Sequence, residues 1–165
     1  MPYVLRKIKQ GRWWPTAWLS SDDDLPADAM SDLKTEGNEL SVWWVNDDQS
    51  NLETIIAALA ANCEFVANFD YALIRLADLD SLSLTVRESF GKTPCPGANQ
   101  YHRDICELTG RKLLEIGLAI FRQSETRQRF PQRQVIDLLH TALTSGWIDR
   151  SRLNESLVED LQKRR

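Results

Sequence analysis

Three groups of side chains in this sequence are of the types that carry chemistry. Cys95, His102 and Cys106 are metal-ligand residues, and His102 and Cys106 stand four apart, which on a helix would place them on one face. A structural zinc site takes about four such ligands. No fourth is evident here, and a Cys–His nucleophilic pair would lack the group that orients its histidine. Asp47 and Asp48 follow an apolar run and precede a helical pattern, the place where open α/β sheets gather ligands. Carboxylates there could hold Mg²⁺ for phosphoryl transfer. No P-loop, GxGxxG or partner lysine accompanies them, and aspartate suits turns and helix N-termini for plain physical reasons. No cofactor or metal is expected.

Arg133 and His140 lie in "RQVIDLLH", on what reads as one helix. An arginine a few residues before a histidine on one helix resembles the active-site motif of HEPN ribonucleases. The resemblance implies RNA cleavage by the pair, usually in a dimer, within an all-helical fold. It covers two residues. Gln134 stands where the motif usually has Asn, Asp or His, and the strand-rich first half departs from an all-helical fold.

Other groups suit binding better than bond-breaking. "FRQSETRQRFPQR" holds Arg122, Arg127, Arg129 and Arg133 with Glu125 as its only acid, and reads as a connection between two helices. Guanidinium groups so clustered could take phosphate or an acidic partner. "RKIKQGRWW" adds Arg6, Lys7, Lys9 and Arg12 beside Trp13 and Trp14, cations for phosphate and rings for stacking. "ALTSGWIDRSRL" has the small residues of a helix-turn-helix, but Arg152 and Glu155 fall where that motif wants apolar side chains.

Six tryptophans are many for 165 residues, and five precede residue 45. Each ring buries on the order of 150–250 Å², so they cannot all fit comfortably inside. Trp44 shares a face with Leu40 and Val42 and is expected in the core. Trp13, Trp14 and Trp43 are the candidates for a contact surface, where Trp and Arg dominate binding energy. Asp22, Asp23 and Asp24 read as a solvated loop into a helix at Pro26, or as an electrostatic rim that selects a basic partner.

These side chains must be held by an ordered scaffold. "ELSVWWV" (39–45) is apolar on both faces, the pattern of a strand covered on both sides. Ser50 to Glu53 spells a capping box, and Leu52, Ile55, Ile56 and Leu59 follow at helical spacing. Residues 3–9, 70–76 and 82–86 read as further strands. Gly37 reads as a helix C-cap, and "GKTPCPGAN" as a loop. Helical patterns cover 100–123 and 131–145, the latter closed by Gly146; Asp149 then caps a last helix with Leu153, Leu157 and Leu161. The expectation is an α/β or α+β fold: a small mixed sheet in the N-terminal half and about three helices forming a C-terminal layer. One domain spans 1–165, with a subdomain break conceivable near 91–98.

Composition bounds the function. Apolar residues are 42%, charged residues 27% and the net charge −4, an ordinary globular balance. No run approaches the roughly 20 apolar residues of a membrane helix, so no membrane partner is expected. Three cysteines without a secretory signal read as free thiols in a reducing compartment, the cytoplasm. The leading expectation is a small cytoplasmic interaction module that binds another protein, such as an immunity or antitoxin protein, an adaptor or a complex subunit. A nucleic-acid-acting protein using Arg133 and His140 is the alternative, and an Mg²⁺-dependent phosphoryl-transfer enzyme using Asp47 and Asp48 the third. Nucleic acid and a second copy of the chain remain further candidate partners.

Overall fold

The computed structural model describes residues 2–15, 17–19 and 24–164. Asp22 and Asp23 lie outside the described residues. Six strands form one sheet: β1 (Tyr3–Lys7), β2 (Leu40–Val45), β3 (Phe69–Arg75), β4 (Thr85–Glu88), β5 (His102–Cys106) and β6 (Arg127–Phe130). Their order is β4-β5-β2-β1-β3-β6, and every pairing is antiparallel. The helices are α1 (Ala27–Met30), α2 (Leu52–Ala61), α3 (Leu76–Ser81), α4 (Gly110–Arg122), α5 (Gln132–Thr144) and α6 (Glu155–Lys163).

The central strands are apolar on both faces because both faces are covered. Leu5, Trp43, Val45, Tyr71 and Leu73 form one core with residues of α2, α5 and α6. Val4, Leu40, Val42, Ala72, Ile74 and Ile105 form a second core with residues of α1, α3 and α4. The result is a three-layer α/β/α sandwich. The mixed α and β class expected from the sequence is the class observed. The C-terminal helices, however, do not form one layer: α4 covers one face, while α5 and α6 cover the other.

Several local expectations give way to tertiary pairing. Residues 102–106 are not the start of a helix. They pair with β2 on one side and β4 on the other, and that double ladder outweighs local propensity. The following helix starts at Gly110, where Thr109 caps it by accepting from the Lys112 amide. The arginine-rich segment does not simply link two helices; it contains edge strand β6, paired with β3. Gly37 does not cap a helix. Gly37 and Asn38 both take positive φ, 60° and 62°, in a two-residue hairpin closed by the Glu36–Glu39 bridge.

The capping box at Ser50 also does not form. Asn51 precedes α2, and its buried amide ties the helix to the end of β2: Oδ1 accepts from Asn46 N at 2.9 Å and Nδ2 donates to Trp44 O at 3.0 Å. The close of α5 does follow the sequence. Gly146, at φ 73°, is the left-handed residue of a Schellman ending, with Trp147 N donating to Ala142 O and Gly146 N to Leu143 O. Asp149 caps a 3-10 turn at Arg150–Arg152, and Asn154 caps α6. Loop 91–98 connects two strands that are both bound to the same sheet, and it is pinned by Asn99 Oδ1, which accepts from Thr93 N and Oγ1.

Candidate functional site

The N-terminal aromatic segment and the arginine-rich segment are more than 100 residues apart in sequence, yet the fold brings them together. A 3-10 turn, Gln10–Trp13, follows β1 and lies against β6. Asp32 organises that turn. Its carboxylate accepts from Lys9 N at 2.8 Å, Trp13 Nε1 at 2.9 Å and Arg12 Nη1 at 2.7 Å. Trp13 is thereby fixed in the interior with its ring N–H satisfied.

Arg127 and Arg129 of β6 then join the turn. In register they stand opposite Ala72 and Asp70 of β3. Arg127 Nη1 donates to the Trp13 carbonyl, and the guanidinium lies 5.7 Å from the centre of the Phe121 ring. Among the described residues no carboxylate pairs with Arg127, and its buried Nε has no hydrogen-bond partner. Burial pulls its ionisation down, with Glu125 opposing from a distance. Arg129 is paired: Nε reaches Asp70 Oδ1 at 2.6 Å, and Asp70 Oδ2 also accepts from Gln10 N. Trp14, which follows the Trp13 carbonyl directly, is 58% exposed and Trp18 is 67% exposed, so this segment of chain leaves large apolar surface in solvent. Arg122 ends α4 just before this strand.

The other candidates separate. Trp43 is buried in the core that α2 covers, and Trp13 is buried in the core on the opposite face, so these two rings of the expected surface are interior. Trp44 is only half-buried, with the Arg103 guanidinium 5.7 Å from its ring centre. Asp47 and Asp48 are exposed in a turn. Asp48 is held below the usual carboxylate range by the Ser50 amide, to which it is bonded at 3.0 Å; this is turn chemistry.

Cys95, His102 and Cys106 do not converge. His102 and Cys106 are on a strand, about 13 Å apart along it, and Cys95 is buried in loop 91–98. Burial pushes both thiols up, away from the thiolate that metals and nucleophilic catalysis require. Among the described residues no three His, Cys, Asp or Glu side chains gather as a metal site would need. His102 instead takes a partner that sequence reasoning missed. Ser89 Oγ lies 2.7 Å from its Nδ1, and Ser89 N donates to His102 O. The two are cross-strand neighbours beyond β4, a relation invisible without the register. Burial pulls the imidazole down, opposed by Asp104.

Arg133 and His140 both lie on α5, two helical turns apart. Arg133 is exposed; His140 lines a cleft of about 320 Å³ with Arg150, Leu153 and Leu161. The His140 Nε2 is buried and has no hydrogen-bond partner among the described residues. The six-stranded sheet is also not the all-helical fold that the HEPN resemblance implies. The "ALTSGWIDRSRL" stretch forms a helix end, a 3-10 turn and a helix start.

Among the described residues no helix is long and apolar enough to cross a membrane. Comparison with family models, with curated protein sequences and with solved structures gives no match, so function rests on the geometry alone.

Proposed function

We propose that this protein is a binding module whose contact surface is the junction of residues 10–14 with strand β6, extended by the exposed Trp18, and whose partner is another protein that presents acidic groups. The observation that carries the reading is Arg127: a half-buried guanidinium with no carboxylate among the described residues, held on the Trp13 carbonyl, where the exposed Trp14 follows directly in the chain and the exposed Trp18 comes soon after. An acidic side chain arriving there would gain a charge-assisted hydrogen bond in a partly desolvated place, with tryptophan supplying apolar contact around it. A protein partner is favoured over nucleic acid because Arg12 and Arg129 are already neutralised by Asp32 and Asp70, and the whole chain carries −4. Free thiols at Cys63, Cys95 and Cys106 support work in a reducing compartment, the cytoplasm.

The test is affinity capture from host lysate with the wild-type chain and a Trp14→Ala/Trp18→Ala variant. Both rings are exposed, so the variant keeps its melting temperature. A stoichiometric partner held by the wild type and weakened at least tenfold in the variant supports the reading. A partner bound equally by both places the surface elsewhere, and salt-labile nucleic acid in place of protein overturns the assignment of partner.

A further inference from the structure

The sheet is split at its centre, and the split is charged. β1 and β2 pair only at Tyr3–Val45, Val4–Trp44 and Leu5–Trp43. The next pairs in register would be Arg6 with Val42 and Lys7 with Ser41, but there the strands part. The Ser41 carbonyl accepts instead from Arg6 Nη1 at 2.7 Å. Arg6 also gives Nε and Nη2 to the Asp32 carbonyl, at 2.9 and 2.8 Å.

The parting leaves a slot of about 390 Å³, lined from one helical layer by Ser31 and Asp32 and from the other by Leu59, with Arg6, Lys7, Lys9 and Trp43 between them. That volume falls within the range of small-molecule sites. We propose that this slot binds a phosphate group carried on a small organic molecule.

Charge selects the ligand class. Among the described residues three cations line the slot against one carboxylate, and that carboxylate already serves the Lys9 amide, Arg12 and Trp13. The slot is therefore locally positive in a chain of net charge −4. Arg6 uses three of its five N–H groups on carbonyls, and the other two have no partner among the described residues. Burial pulls the Arg6 guanidinium down and Asp32 pulls it back, as befits a cation short of anionic contact. Lys7 Nζ, 3.0 Å from Cys63 Sγ, and the exposed Lys9 stand on the same strand end. A phosphate dianion draws about twice the Coulombic attraction of a carboxylate at equal distance, which favours it in a site of three cations. Leu59 and Trp43 offer an apolar wall for the rest of the molecule.

The experiment is an NMR titration of the full chain with sodium phosphate, against sodium chloride at matched ionic strength. Saturable shifts of the Arg6 Nε–H and of the amides of residues 7–9 and 41 are expected with phosphate alone. Lys9→Gln, which removes an exposed charge without touching the core, should weaken the binding about fivefold, and Lys9→Glu more. Shifts equal in phosphate and chloride, or saturable binding unchanged in both Lys9 variants, overturn the proposal. Trp14 and Trp18 do not line the slot, so the Trp14→Ala/Trp18→Ala variant should bind phosphate as the wild type does, and this outcome is independent of the partner-binding surface.

Discussion

At the residue scale Asp32 does the most. It is a carboxylate in a short 3-10 turn, Ser31–Leu33, only 7% exposed in its side chain, and three donors from the N-terminal segment end on it. One of them is the ring N–H of a fully buried tryptophan. Asp32→Ala would leave that N–H unpaired and free the turn from the sheet, at a cost of about 3 kcal/mol. Urea denaturation of the variant measures it, and a loss under about 1 kcal/mol would mean that water replaces the carboxylate. The sequence did not mark Asp32. It sits among many acids, and nothing in the local pattern distinguishes an aspartate that faces an indole from one that faces solvent. Trp13 and Trp14 were equally unreadable as a pair, since alternate burial of neighbours in a 3-10 turn depends on what lies beneath.

At the element scale the reliable signals were those that a single segment carries alone. The doubly apolar run of β2, the helical spacing of α2 and the glycine that closes α5 are all local, and all appear as expected. Edge strands are the contrary case. β6 has only four residues, three of them arginine or glutamine, and it is a strand because β3 offers it a ladder. β5 reads as helix by its spacing and becomes a strand between β2 and β4. The arginine part of the candidate surface was thus legible as composition, but its union with the tryptophan segment was not. The loop between β4 and β5 gives a test at this scale. A Cβ at Gly91 would lie 2.6 Å from Trp43 Cη2 and 2.8 Å from Asn99 Oδ1. Gly91→Ala should therefore destabilise by about 1–3 kcal/mol, read from the denaturation midpoint, because neither the buried indole nor the pinned amide can yield freely.

At the scale of the whole molecule, charge and connectivity set the behaviour. Burial alone would raise Asp70, yet the hydrogen bonds of Arg129 and Gln10 outweigh it and hold the carboxyl below its ordinary value. A carboxylate depressed in the folded state adds stability that is fully present above the unfolded value, about 4, and is lost as pH falls through the folded one. Stability measured from pH 6 down to 2 should therefore decline below about pH 4. Asp70→Asn should flatten that decline; an unchanged profile would remove Asp70 from the account.

The order of the strands has a temporal side as well. β1 is made before either of its neighbours, yet it ends between them, flanked by a strand that finishes at Val45 and another that finishes at Arg75. At synthesis rates of about 5–20 residues per second, that segment must wait several seconds for its second neighbour. Until then its apolar Val4, Leu5 and Ile8 are without a sheet to enter. The cations interleaved with them, Arg6, Lys7 and Lys9, are the kind of charge that disfavours edge pairing with another chain.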